Sequence, residues 1–193
     1  MNSRPFFRCL LVAGLCLLSS GLYAKTQLDV RLEPRDRVLR ANIEAHVGPI
    51  ADRDRAALLR MRRNVERQAQ EAVRALGYYQ AQIRSEVTDS DSPPRLRLIV
   101  EQGQPVRLRE VDIRLSGDAT RLRAFRVPGG VALEPGHPLD HGVYEAARQL
   151  LQRQAEHYGF FAGSFTRREL LIDPDAGWAD IHLHFDSGPR YNL

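Results

Sequence analysis

Thiols are nearly missing from this chain. Its two cysteines, Cys9 and Cys16, both fall in the first stretch, so beyond residue 24 there is no disulfide, thiolate metal site or cysteine nucleophile. Lysine is scarcer still. Lys25 stands alone and every other cation is an arginine, whose planar fork suits bidentate contacts with carboxylate or phosphate. A surplus of one charge is lacking too. The 28 basic and 24 acidic side chains nearly cancel, and without Arg4 and Arg8 of the first stretch the excess is too small to argue for nucleic acid as a partner. No apolar run reaches the roughly 20 residues of a comfortable membrane span. No paired-carboxylate cleft, Ser/His/Asp arrangement or phosphate loop can be named, and Gly129-Gly130 lacks the lysine and helix of a phosphate cradle. These absences give an expectation of no catalytic residue, no cofactor and no metal.

What is present begins with an export signal over residues 1–24. Arg4 and Arg8 precede the short apolar run from Leu10 to Leu18, and Leu22-Tyr23-Ala24 offers a cleavage site before Lys25. Leu15 occupies the place where a lipoprotein site at Cys16 wants a small residue.

The rest states one plan twice. Ala75-Leu76-Gly77-Tyr78-Tyr79 closes one helical pattern and His157-Tyr158-Gly159-Phe160-Phe161 closes another. Val100-Glu101-Gln102-Gly103 ends an apolar strand, and Phe185-Asp186-Ser187-Gly188 ends its counterpart. In the first unit Leu28, Val30 and Leu32 alternate as in a half-buried strand. Val38, Leu39 and Ile43 then take helical spacing up to Gly48-Pro49. Leu58, Met61, Val65, Ala69, Ala72, Val73 and Leu76 form the stripe of a longer helix, and Gly77 stops it. Strands follow through Ala81, Ile83 and Val87 and through Leu96, Leu98 and Val100, with a polar turn from Asp89 to Pro94. In the second unit Val111, Ile113 and Leu115 alternate before a short helix around Leu122 and Phe125. After a Pro/Gly-rich connection, Asp140 caps a helix carrying Val143, Tyr144, Ala147, Leu150, Leu151, Ala155 and Tyr158. Residues 161–172 read as a strand whose alternation slips between Phe165 and Leu170, the mark of a bulge. Ala179, Ile181, Leu183 and Phe185 return on one face. Each unit is therefore expected to be β-α-α-β-β, a three-stranded sheet with two helices on one side, in an α+β class. The expected boundaries are 25–104 and 105–188, with 189–193 opening a third unit. Gly103 to Leu108 leaves little slack between the units.

This order of elements in an exported chain resembles POTRA (polypeptide-transport-associated) domains, and within them the N-terminal domains of the TamA type, from the outer-membrane subunit of the translocation and assembly module in the BamA superfamily. The resemblance rests on the Gly77 and Gly159 motifs, the Gly188-Pro189-Arg190-Tyr191 junction and the early Leu28-Asp29-Val30. It implies a periplasmic, non-catalytic scaffold attached to the outer membrane. The implied partners are a TamB-like inner-membrane-anchored protein, unfolded outer-membrane or autotransporter proteins, and a C-terminal barrel of a longer chain. No alternating barrel strands of about ten residues follow Gly188, so insertion activity is not expected of this segment alone. The arm of BamA itself or of a two-partner secretion transporter would share the domains. A small hydrolase using Asp140, His141 or His184 is the catalytic rival.

Candidate binding residues follow from sheet edges, whose unpaired main-chain groups can accept an extended segment of another chain. In the POTRA plan the strand after the last helix lies at an edge, which singles out Gln82, Ile83, Arg84 and Glu86, and Ser164, Phe165, Arg167 and Arg168. The charged members also guard against self-association. His182-Leu183-His184 puts two imidazoles on one strand face beside Asp180, yet no further ligand from a neighbouring strand is evident, so a solvated face is expected. One aromatic of each pair, Tyr78/Tyr79 and Phe160/Phe161, is expected to pack beneath its sheet, and Trp178, next to a hairpin turn, is the better exposed candidate, either binding a partner or covering the sheet. The arginine-rich helix from Arg53 to Arg74 reads as an ordinary solvated face.

Overall fold

The computed structural model describes residues 26–88 and 93–191. The expected export signal, most of the Asp89–Pro94 turn and the last two residues of the chain lie outside them. Strand β1 (Leu28–Glu33) buries Leu28, Val30 and Leu32 and leads to helix α1 (Arg37–Val47), whose first turn is closed by Asp36 accepting from Val38 N at 2.8 Å. Helix α2 (Arg55–Ala75) starts where Asp54 accepts from Ala57 N at 2.7 Å. Its stripe of Leu58, Val65, Ala69, Ala72 and Val73 is buried against the sheet. Strands β2 (Gln82–Thr88) and β3 (Arg95–Glu101) complete the unit in the order β1-β3-β2, with β1 parallel and β2 antiparallel to β3. Among the described residues no helix is long and apolar enough to cross a membrane.

The second unit repeats that topology. Strand β4 (Arg107–Ser116), helix α3 (His141–His157), β5 (Ser164–Asp173) and β6 (Trp178–Asp186) form a sheet in the order β4-β6-β5. Asp140 caps α3 as expected, accepting from Gly142 N at 2.7 Å, and the pairing of β5 with β6 shifts between Phe165 and Arg167. The helical cover differs from the first unit. The short helix expected around Leu122 and Phe125 is a single 3-10 turn, Asp118–Arg121, and a second such turn spans Val131–Leu133. The intervening Pro128, Gly129 and Gly130 cannot propagate an α-helix. Ala119 and Phe125 still bury themselves with Leu151, Ala155, Phe160 and Phe185.

The units meet at the turn after α2. Gly77, at φ 86°, accepts from Val106 N at 2.9 Å, and a Cβ there would sit 2.7 Å from the Leu139 carbonyl oxygen. Tyr78 packs on its own core, whereas Tyr79 crosses to the apolar cluster of the second unit. The Tyr79 hydroxyl lies 2.6 Å from His141 Nε2, and Gln80 donates to the Pro174 carbonyl at 3.0 Å. Burial lowers the pKa of His141 and so favours its neutral ring. Phe160 is buried and Phe161 is exposed, so the second pair divides as expected.

Gly77→Ala is expected to lower stability by more than Gly177→Ala. Both glycines have positive φ, which costs a non-glycine residue about 1–3 kcal/mol, but a Cβ at Gly177 meets nothing within 4 Å. Thermal unfolding of the two variants measures the extra cost of the clash at the junction.

Candidate functional site

The direction of main-chain groups decides what each sheet offers a partner. Leu96 N donates to Gln27 O at 2.8 Å, so the groups of Leu96, Leu98 and Val100 point toward β1. Those of Arg97, Ile99 and Glu101 then point toward Glu86, Arg84 and Gln82 on β2. The N–H and C=O groups of Ile83, Ser85 and Val87 are left facing away from the sheet. In the second unit Arg107 N donates to Gly177 O at 3.0 Å and Ser187 N to Ser116 O at 3.0 Å, which sets the odd-numbered residues of β6 toward β4. Asp180, His182 and His184 therefore bond Leu171, Glu169 and Arg167 of β5, and Arg168, Leu170 and Ile172 face outward.

The two edges are not equivalent. On β2, Arg62 of α2 donates through Nη2 to the Ser85 carbonyl at 2.7 Å and through Nε to Ser85 Oγ at 3.0 Å. Ser85 Oγ in turn donates to Glu66 Oε1 at 2.5 Å. The middle acceptor of the β2 edge is thus occupied by the protein's own helix. No such bond falls on the outward main-chain groups of Arg168, Leu170 and Ile172 among the described residues. The arginine-rich helix expected to be merely solvated here supplies a latch. Its signal in the sequence is Ser85, a polar residue at an inward position between Ile83 and Val87, which needs a polar partner above it.

The candidate residues divide by face. Gln82, Arg84 and Glu86 lie on the outer, wet face of the first sheet, Arg84 bonded to Glu101 at 2.8 Å and Glu86 to Arg97 at 3.0 Å. Ile83 packs inward. Ser164 is exposed at the start of β5, and Phe165 packs edge-on against Phe185 with ring centroids 5.0 Å apart. Arg167 holds Glu169 at 2.9 Å, and Arg168 is exposed near Glu145. The Glu145 carboxyl is drawn down to about 2, chiefly by hydrogen bonding from Arg148. The residues of the catalytic rival have separate tasks: Asp140 caps α3, His141 meets Tyr79, and His184 Nε2 lies 2.8 Å from Asp112. Trp178 is covered by the Arg109 guanidinium, 3.4 Å from its ring centroid.

Electrostatics on the outer faces follow the pairing register. Asp29, Arg97 and Glu86 stand level across β1, β3 and β2, with Arg97 Nε 2.9 Å from Asp29. Burial pushes the Asp29 carboxyl up, but hydrogen bonds and charge from Arg97 and Arg31 outweigh it and leave the pKa below the usual carboxylate value.

A three-stranded sheet in this order, with its first strand parallel to the last and helices on one side, is the architecture of a POTRA domain. Residues 29–102, which span the first unit, match the family described as POTRA domain TamA domain 1. Solved structures with partial likeness include POTRA domains 3–5 of Haemophilus influenzae BamA, at 16% identity and TM-score 0.44, over 86% of this chain and 67% of that one. POTRA domains 1–2 of Omp85 from Anabaena align at 14% identity and TM-score 0.37, over 87% and 97% of the two chains. CdiB from Escherichia coli aligns at 17% identity and TM-score 0.31, over 90% of this chain and 29% of that one.

The lowered Asp29 pKa carries a pH signature. Its contribution to stability is present above the ordinary carboxylate value near 4 and is lost as pH falls through the depressed folded value. Urea unfolding is expected to show stability declining below about pH 4, with a shallower decline in Asp29→Asn and the same slope in both proteins at neutral pH.

Proposed function

We propose that this chain is the periplasmic, non-catalytic arm of a TamA-like outer-membrane protein, receiving extended segments of unfolded outer-membrane or autotransporter polypeptides by strand addition. The observation that carries this reading is the row of main-chain groups on β5, at Arg168, Leu170 and Ile172, that have no partner among the described residues. Each added main-chain hydrogen bond contributes about 0.5–1.5 kcal/mol net, and ordering an unfolded segment offsets much of that. The outcome is weak binding that is indifferent to side-chain identity, which suits a surface handling many clients in transit. The β2 edge is a poorer receiver because Arg62 must first leave Ser85. A TamB-like partner is the proposed second ligand, and the match of residues 29–102 to a TamA-type POTRA model supports this reading over a BamA arm or a two-partner secretion transporter.

We also read residues 189–193 as the opening of a further unit. Tyr191 N donates to Gly159 O at 2.9 Å, as Val106 N does to Gly77 O, and a Cβ on Gly159 would lie 2.6 Å from Tyr191 O. The exposed Phe161 then corresponds to Tyr79, which the second unit covers.

A proline scan separates edge binding from other modes. The Arg168 N–H points outward, so Arg168→Pro removes a donor that the sheet itself does not use, whereas Arg167→Pro removes one pointing toward β6. With a photoreactive residue at Leu171, Arg168→Pro is expected to stay folded and to capture client polypeptides in cells about tenfold less, while Arg167→Pro loses much of its stability. Undiminished capture by folded Arg168→Pro contradicts strand addition at β5.

A further inference from the structure

The row Asp29–Arg97–Glu86 on the first sheet has a counterpart on the second, at Asp112–His182–Glu169. Arg97 and His182 stand at the same place in the plan, each six residues before the glycine that closes its unit. In the first row the guanidinium bonds both flanking carboxylates, at 2.9 and 3.0 Å. In the second the shorter imidazole does not: His182 is 5% exposed, and its Nδ1 has no hydrogen-bond partner among the described residues. Asp112 Oδ2 lies 4.0 Å from that nitrogen, too far for a hydrogen bond. Glu110, one pleat along β4, brings a third ligand atom, and the three lie within 4.8 Å of one another. The neighbouring-strand ligands that the His182-Leu183-His184 motif lacked in sequence are supplied by the parallel register of β4.

We infer that Glu110, Asp112 and His182 form a binding site for a divalent transition-metal cation, of which Zn²⁺ is the type. Around a tetrahedral ion about 2.0–2.2 Å from each donor, the usual Zn–N and Zn–O distance, donors stand about 3.4 Å apart, so His182 Nδ1 and Asp112 Oδ2, at 4.0 Å, close by roughly half an ångström on binding. One imidazole with two carboxylates favours Zn²⁺ over Mg²⁺ or Ca²⁺, which prefer all-oxygen sets. The positive charge that Arg97 provides in the first unit is provided in the second by the ion. Asp112 is oriented from outside the set, by Arg114 Nε at 2.7 Å and His184 Nε2 at 2.8 Å, as outer hydrogen bonds commonly orient a metal ligand. The other outer-face carboxylates are engaged, Asp180 by Arg109 and Glu169 by Arg167. Three protein ligands leave a fourth position open on the wet face of the sheet.

The test is calorimetric titration of ZnCl₂ into the chelator-treated chain, beside His182→Arg, Asp112→Asn and the surface control His46→Gln. The expected result is one equivalent of Zn²⁺ bound by the unaltered chain and by His46→Gln. Affinity falls about tenfold or more in Asp112→Asn and in His182→Arg, and the latter keeps its melting temperature because it restores the arrangement of the first sheet. No heat from the folded chain, or unchanged binding by His182→Arg, overturns the assignment. Should His182→Arg fail to fold, imidazole nitrogen NMR of the unaltered chain decides. Zn²⁺ must shift the His182 Nδ1 resonance, and an unmoved resonance overturns the site.

Discussion

Both sheets depend on one constraint: the central strand spends its main-chain groups alternately on two neighbours of opposite direction. Val100, Leu98 and Leu96 of β3 bond the parallel β1, and the residues between them bond β2. The same division holds for β6 between β4 and β5. Once it is made, the outer strands can use only every second residue, and the remaining N–H and C=O groups face solvent or a partner. Helices on one side bury the apolar face but leave the plane of the sheet open. Reach across the edge comes only from a side chain such as Arg62, which is why the two units differ as receivers although their topology agrees.

The outer faces show how a duplicated plan diverges without changing its topology. A carboxylate row bridged by arginine in the first unit becomes a carboxylate row around a buried imidazole in the second, while the strands beneath keep the same order and directions and the second sheet adds register shifts at Leu108/Glu110 and Phe165/Arg167. The apolar residues on the inward side, Leu96, Leu98 and Val100 against Ile181, Leu183 and Phe185, hold each central strand in place. The outward side is then free to vary in charge and chemistry. The junction behaves differently, because Gly77 and Gly159 both approach a following segment closely and both accept a main-chain N–H from it.

Much of this was legible in the residues. Alternation at Leu28, Val30 and Leu32, the stripe from Leu58 to Leu76, the cap at Asp140 and the slip after Phe165 all report local periodicity, which a linear reading captures. The stretch from Leu122 to Pro138 was less so, since its burial comes from Phe125 meeting Phe160 and Tyr158 rather than from helical spacing. Contacts between elements were not legible. Arg62 with Ser85 joins residues of a helix and a strand, and Glu110 with His182 requires a parallel register that no local pattern encodes. Gln27 is the same kind of case: a buried amide that bonds Arg53 at 2.9 Å on both its donor and acceptor sides, and Pro94 at 2.7 Å, it looks like ordinary polar sequence until the chain is folded.

Amide hydrogen exchange along β5, followed residue by residue by NMR, tests the central claim most directly. An open edge requires the amides of Arg168, Leu170 and Ile172 to exchange about tenfold faster or more than those of Glu169 and Leu171, and to slow when an extended client peptide is added. Uniform protection of all five in the free chain would mean that the edge is already closed, and would contradict the account.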